Sequence, residues 1–362
     1  MDEKKNVAVV LPVYNGASML EACIRSVSAA GERVSEIIIV DDGSTDETLA
    51  RARAIANRDH RIHIISTDNH GSYMARVTGI RAATADFLAF IDVDDHFIPG
   101  SLDLLAGLLE SCDADISFGG IIETENCSSV NIPDAEAAVR IQTPAEMWPR
   151  IMKWKTQEFM LYIWHKLYKR ELFDDLPEID HICQGDDVIL TCAAFRNAKR
   201  IAETTAPVYL YCINPSGLTH RGFSDSDLDL IRVWDTVVDM MDSQDNPDLS
   251  YLARFNRWRT DYTLITRLIL TDDKKADRKY AEELVKWRNG LKRHWRDLIS
   301  PHAMPADREI LVFGLRFFYV PVKVLLRMGK RASGISTGVL LHSGDKRHER
   351  RKEYDQNIGS FW

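Results

Sequence analysis

Along the first hundred residues, short unbroken apolar runs alternate with segments whose apolar positions recur every three or four residues. "NVAVVLPVYN", residues 6 to 15, is an apolar run closed by Pro12 and predicts a buried strand. In "SMLEACIRSVSAA" Leu20, Cys23, Ile24 and Val27 fall on one helical face, and Ser18 with Glu21 three residues on has capping-box spacing. "SEIIIVDDGSTDET" predicts a second strand through Ile37 to Val40, then a polar turn in which Thr45 or Asp46 can cap the helix "ETLARARAIANRD". "RIHIIST" reads as a third strand, "GSYMARVTGIRAAT" as a third helix and "DFLAFIDVDD" as a fourth strand. Continuous apolar strands alternating with helices predict an α/β fold, a mostly parallel sheet with helices on both faces.

Beyond Gly100 a helix, "SLDLLAGLLESC", and a strand, "DISFGG", follow, and then the pattern loses its regularity. "IWHKLYKRELF" (163–173) and "HICQGDDVILTCAAF" (181–195) stand out there, and "APVYLYCINPSGLTH" (206–220) reads as a strand and a turn. From about Asp225 to near Ile299 the pattern is helical, with Pro301 and Pro305 marking a break. The expected organisation is a catalytic domain over 1–222, a helical region over 223–305, and an amphipathic basic segment with a tail over 306–362.

Composition narrows the choice little. The 362 residues are 45% hydrophobic and 28% charged, as in ordinary globular proteins. A net charge of -8 argues against a nucleic-acid binder. The six cysteines form no CxxC pair, and their spacing predicts neither a zinc site nor a disulfide framework. The N-terminal stretch has no signal-peptide pattern, and no apolar run approaches the ~18 residues that span a bilayer. The expectation is a cytoplasmic protein.

In a parallel α/β sheet, ligands bind at the carboxyl ends of the strands. Strand one ends in Pro12-Val13-Tyr14-Asn15, strand two in Asp41-Asp42, strand three near Asn69, and strand four in Asp92-Val93-Asp94-Asp95. Three carboxylates in four positions repel one another, and a divalent cation is one common remedy. Mg²⁺ takes oxygen ligands, usually one or two carboxylates plus substrate phosphates. Asp41 or Asp42 can accept the imino N–H of a uracil ring, with Tyr14 against the base. Arg76, one turn into helix three, can face a diphosphate or balance the aspartates. Asp186 and Asp187 open a helix, where a carboxylate can act as general base. Each stretch also has a plainer reading, as a turn, a helix cap or a solvated arginine. The dinucleotide fingerprint and the phosphate-binding GxxxxGK[ST] loop are both absent, and no glycine-rich basic loop follows strand one, which disfavours a nucleotidyltransferase.

The segments "VVLPVYNGASMLEACIRSV", "IIIVDDGSTDET", "NHGSYMARVTGI", "ADFLAFIDVDD", "WHKLYKRELF" and "QGDDVIL" together resemble the family 2 glycosyltransferases of the GT-A fold, bacterial cell-surface polysaccharide enzymes in particular. The resemblance runs from about residue 7 to 195 and more weakly to His220. It implies a metal-dependent, inverting transfer of a hexosyl or N-acetylhexosaminyl group. The donor would be a nucleotide sugar, most often a UDP-sugar. The acceptor would be a hydroxyl of a glycan, lipid-linked or cell-surface polymer. Pro12, Tyr14, Asn15 and Asp42 would hold base and ribose, with Asn69 and Arg76 near the nucleotide. Asp92 would reach the ribose or a metal-bound water, and Asp94 would bind Mn²⁺ or Mg²⁺ in a DXD motif. His220 would be a late metal or diphosphate ligand, and Asp187 the base. Two departures stand out. Ala75-Arg76-Val77 replaces the family's Ala-Arg-Asn, and Gly185-Asp186-Asp187 replaces Gly-Glu-Asp, which leaves open which aspartate takes the proton. The alternative is a relative that binds nucleotide sugar or glycan without transfer.

In "REILVFGLRFFYVPVKVLLRMGKR" (308–331), Arg316, Lys323, Arg327 and Lys330 fall on one side of a helix. Phe317, Phe318, Val324, Leu325 and Met328 fall on the other. That pattern predicts peripheral contact with an anionic membrane face, with Pro321 kinking or splitting the helix. The other reading is a helix packed on the protein with its charges solvated.

Overall fold

The computed structural model describes residues 5–125, 127, 130, 132, 137–152, 161–213, 222–300 and 304–333. Its first half follows the predicted alternation: β1 (Val7–Val13), α1 (Leu20–Ala29), β2 (Val34–Asp42), α2 (Thr48–Ala56), β3 (Ile62–Thr67), α3 (Ser72–Ala82) and β4 (Phe87–Phe90). These strands pair in parallel in the order β3-β2-β1-β4. Val7 to Leu11, Ile37 to Val40 and Phe87 to Ile91 are buried. Each buried Val, Leu, Ile or Phe side chain among them contributes about 1.5–3 kcal/mol relative to exposure, so the N-terminal half of the sheet is a rigid floor for whatever its carboxyl edge carries. Gly79 lets α3 press onto β1; a Cβ there would lie 2.4 Å from a Val10 methyl.

The second half is mixed. It comprises β5 (His96–Phe97), α4 (Ser101–Ser111), β6 (Ile116–Thr124), β7 (Val139–Gln142), α5 (Pro144–Met152), β8 (Lys166–Lys169), α6 (Asp186–Asn197) and β9 (Ile201–Cys212). β8 inserts antiparallel between β4 and β6, β9 runs parallel to β6, and β5 and β7 flank β9 antiparallel. The irregular middle of the sequence thus supplies the strands that complete a nine-stranded sheet.

Local details differ from the sequence expectation at α1. The amides of Met19 and Leu20 both donate to the Gly16 carbonyl, so Ser18 lies inside a turn and caps nothing. Asp46 does serve α2: one carboxylate oxygen accepts from the Thr48 amide (3.0 Å) and the other from the Ala17 amide (3.3 Å).

The helices that follow are α7 (Asp229–Asp242), α8 (Pro247–Thr271), α9 (Lys274–Lys279), α10 (Ala281–Ile299), α11 (Ala306–Phe317) and α12 (Tyr319–Ser333). The chain divides into two compact units, residues 1–214 with 228–254, and residues 215–227 with 255–362. These boundaries differ from 222/223 and 305/306. α7 belongs with the sheet because Val233, Trp234, Val237 and Met241 enter its core. Asp229 also accepts the Cys183 amide at 2.9 Å. In the second unit buried Asp227 pairs with Arg267 at 2.6 Å, and Phe223 packs edge-on against Tyr280. Among the described residues no helix is long and apolar enough to cross a membrane.

Candidate active site

The carboxyl ends of β1, β2 and β3 are laced together by short polar contacts. Asn15, at φ 53°, donates its amide to the Ser44 hydroxyl and accepts the Thr45 amide on its side-chain oxygen. Asp42 accepts the amides of His70 (2.8 Å) and Gly71 (2.9 Å), so the loop after β3 hangs from the end of β2. Gly43, at φ 74°, admits the Asn69 backbone; a Cβ there would lie 2.8 Å from that amide nitrogen. Pro12, next to last in β1, lies opposite Val40, Tyr14 is 52% exposed, and Asn69 is exposed. Pro12, Tyr14, Asn15, Asp42 and Asn69 therefore share one rim.

Beside that rim stands Arg76, buried on α3. Its guanidinium bonds Asp92 at 2.5 Å and Asp186, and lies 3.6 Å from Asp187 Oδ1. One cation thus joins the end of β4 to the start of α6. A buried arginine thus helps make the acidic strand end tolerable: its forked donors bond Asp92 there and Asp186 at the helix start, with Asp187 within ion-pair distance.

The three aspartates of 92–95 have different partners. Asp95 is buried and accepts from the Tyr209 hydroxyl (3.0 Å) and the Cys212 amide (2.8 Å). Burial, reinforced by Asp92 and Asp94, pushes its carboxyl up to about 9. Asp92 and Asp94 are half-buried. Their hard oxygens are the donor type that Mg²⁺ or Mn²⁺ takes, in the small number expected when phosphate completes the shell. Among the described residues, three-donor groups with metal-like spacing occur only at His96–Cys127–Cys212, whose two sulfurs are joined in a disulfide, and at His70–Asp180–His181. The aspartates alone form no complete cage. His220 lies outside the described residues.

Asp186 and Asp187 also part company. Asp186 accepts from the Ser72 hydroxyl at 2.9 Å and from Arg76, so both its oxygens are engaged. Asp187 Oδ1 is buried without a hydrogen-bond partner. Burial above all pushes its carboxyl up to about 6; Asp92 adds to the rise, while Arg76, Lys166 and the Ile163 amide oppose it. The helix start is aimed by a backbone bridge: His181 N–H bonds His70 O (3.0 Å) and Tyr73 N–H bonds Ile182 O (3.3 Å). Gly71 is required there, at φ 89°, because a Cβ would meet Ile182 O at 2.5 Å.

Residue-level reasoning gave no role to His165 and Lys166. Both are buried; the Lys166 ammonium donates to Tyr162 O (2.5 Å) and sits 2.7 Å from His165 Nε2, whose other nitrogen lies 2.9 Å from Gly119 O. Burial holds Lys166 well below its ordinary range against the pull of Asp187. The available signal was a lysine inside the otherwise apolar and aromatic "IWHKLY". The cysteines correct another expectation. Cys127 and Cys212, 85 residues apart, form a disulfide with a Cα–Cα distance of 5.9 Å. Spacing could not reveal it, since the pairing of Thr124 with Cys212 across β6 and β9 brings them together. Cys23 and Cys192 are buried free thiols.

A sheet of this topology, with an acidic strand end facing an acidic helix start across an arginine, has the layout of a GT-A fold. Staphylococcus aureus TarS, residues 1–349, shares it: TM-score 0.61 at 18% identity, over 91% of this chain and 92% of that one. That protein has also been crystallised in complex with UDP-GlcNAc (TM-score 0.61, 17% identity, 91% and 92% coverage). The chain belongs to glycosyl transferase family 2, whose profile matches residues 8–189. It is 32% identical to the uncharacterized glycosyltransferase EpsJ of Bacillus subtilis over 59% of this chain and 62% of EpsJ. It is 28% identical to the succinoglycan biosynthesis protein ExoO of Rhizobium meliloti over 60% of this chain and 64% of ExoO. The matched segments thus span less than two thirds of these relatives' lengths.

Proposed function

We propose that the chain transfers a sugar, hexosyl or N-acetylhexosaminyl, from a nucleotide-sugar donor to a hydroxyl on a glycan, lipid-linked or cell-surface polymer acceptor, with inversion. UDP-sugars are the favoured donors, and the location is cytoplasmic. The observation that carries the reading is Asp187, a half-buried carboxylate whose Oδ1 has no hydrogen bond and whose pKa is raised, standing 3.6 Å from the Arg76 guanidinium that also bonds Asp92. The UDP-GlcNAc complex of TarS supports the donor class, and the name of ExoO supports polysaccharide assembly.

In this reading Pro12, Tyr14, Asn15, Asp42 and Asn69 form the nucleoside rim. Asp94, with Asp92 beside it, would hold Mn²⁺ or Mg²⁺, and His220 would join late. A bound divalent ion would supply Lewis-acid stabilisation of the diphosphate leaving group. Asp187 removes the proton of the acceptor hydroxyl as that oxygen attacks the anomeric carbon from the face opposite the leaving nucleotide. One displacement inverts the anomeric centre, with no covalent sugar–protein intermediate. A carboxylate with a pKa near 6 is ionised at pH 7 yet more basic than an exposed aspartate, as a general base should be. Asp186 fits that role less well because Ser72 and Arg76 engage both its oxygens; it anchors Arg76 instead.

The test is a panel of UDP-sugars incubated with Mn²⁺ and polysaccharide or lipid-linked acceptors, read as UDP release. At least one donor should support release that the Asp187→Asn protein lacks while still binding UDP. Tight Mn²⁺-dependent UDP binding with no release from any donor–acceptor pair would instead make the chain a nucleotide-sugar binder.

A further inference from the structure

The amphipathic segment near the C-terminus is arranged otherwise than its sequence pattern predicts. The helix breaks at Phe318, not at Pro321; Pro321 lies in the first turn of α12, where its missing N–H costs no helical bond. Arg316 therefore sits on α11, its guanidinium 4.8 Å from the Phe317 ring centre, apart from the other basic residues on α12. Those residues turn inward. Lys323 and Arg327 bond Asp277 at 3.1 and 2.9 Å, and Arg327 also pairs with Asp272 at 3.2 Å. Lys330 donates to the Leu270 carbonyl, and Arg331 bonds Asp272 at 2.7 Å.

With the cations of α12 directed at α8 and α9, the apolar side faces outward. Ile310, Phe313, Phe317, Phe318, Val320, Val324, Leu325 and Met328 are 44–73% exposed. They are eight of the fifteen exposed large apolar side chains among the described residues, seven on two consecutive helices and Phe318 at the break between them. A contiguous exposed apolar patch marks a binding surface. The hairpin that presents it is firmly built: Arg288 lies 4.0 Å over the Tyr319 ring, and Gly314 admits Val322 closely.

We propose that this face of α11 and α12 docks into the interfacial layer of an anionic lipid membrane. The chemistry at its border favours lipid over a second protein surface. Trp295 packs edge-on against Phe313 and Phe317, and the Arg296 guanidinium lies 5.3 Å over the Trp295 ring. Lys292, Arg293 and Arg296 are exposed on the same helix, α10. An apolar stripe edged by tryptophan and cations matches the acyl and headgroup layers of a bilayer. The sequence after α12 adds Lys346, Arg347, Arg350, Arg351 and Lys352 within seven positions, a cluster that anionic headgroups attract. The docking holds whatever sugar the catalytic unit transfers, so its failure and the failure of the transfer reading are separable.

The experiment is sedimentation of the full chain with vesicles of phosphatidylglycerol and phosphatidylcholine, and with phosphatidylcholine alone. Its companion is light scattering over a range of protein concentrations. The full chain should sediment with the anionic vesicles and less with the neutral ones. The double variant Phe318→Glu, Leu325→Glu should lose roughly tenfold or more of that partitioning, with its melting temperature and UDP binding unchanged. Absence of vesicle binding would overturn the proposal, as would equal binding to both vesicle types. So would a concentration-dependent dimer, dissolved by the same substitutions, in a protein that ignores vesicles.

Discussion

Two buried or half-buried arginines organise two clusters of aspartates, and the clusters have opposite balances. Around Arg76, Asp92, Asp186 and Asp187 share one cation, with Asp94 and Asp95 close by in sequence. Around Arg327, Asp272 and Asp277 meet four cations, counting Lys323, Lys330 and Arg331. In the second cluster the acids are fully answered; hydrogen bonding to Arg331 holds Asp272 below its ordinary range, with Arg327 and Lys330 adding to the effect. In the first, Asp187 keeps an oxygen without a hydrogen bond and its pKa rises. An excess of acid over base in a half-closed site leaves charge for a ligand or a proton to neutralise. A cluster with enough bases is a structural fastening. The difference tells which aspartates to test for chemistry.

The strongest expected effect falls on turnover. Asp187→Asn should lower kcat by about 10²–10⁴ while UDP binding, measured by calorimetry, stays near that of the unaltered protein. Next is stability at the arginine itself. Arg76→Ala leaves carboxylates buried without their cation and should cost about 3–5 kcal/mol, read as a lower midpoint in thermal or urea unfolding. Survival of the fold with an unchanged midpoint would mean the acids are balanced in some other way.

A smaller effect concerns pH. A protonated Asp187 cannot accept a proton, so kcat/KM should fall tenfold per unit as pH drops below about 6. Lys166 opposes the rise of that pKa, so Lys166→Met should move the acid limb to higher pH. A limb that stays in place would detach Lys166 from the base. The smallest effect belongs to the contrasting cluster. Arg327→Ala should cost about 1 kcal/mol and leave UDP-sugar turnover unchanged, because other cations remain beside Asp272 and Asp277.

Residues 7 to 95 were legible because their signals are local. An apolar run at a strand and a 3.6-residue period at a helix need no distant partner, and β1 to β4 follow them closely. The rim residues were legible for the same reason, since strand ends are marked by the polar residues that follow each run. What stayed hidden depends on distant pairing. The insertion of β8 between β4 and β6, the Cys127–Cys212 link and the bonds of Asp95 to Tyr209 and Cys212 all join segments tens of residues apart. The choice between Asp186 and Asp187 depended on Ser72, more than a hundred residues upstream. The two-sided pattern of 308–331 was correct for α12, but periodicity cannot say which side faces solvent. Asp272 and Asp277 decided that by drawing the cations inward.

In the proposed function the acidic end of β4 holds a nucleoside diphosphate through a divalent ion. Calorimetric titration of UDP into the protein with Mn²⁺ tests it most directly, using the Asp94→Ala and Asp187→Asn proteins alongside. Binding should need Mn²⁺, survive Asp187→Asn and be lost in Asp94→Ala. Equal binding by the Asp94→Ala protein, or no binding by the unaltered chain at any Mn²⁺ concentration, would contradict it.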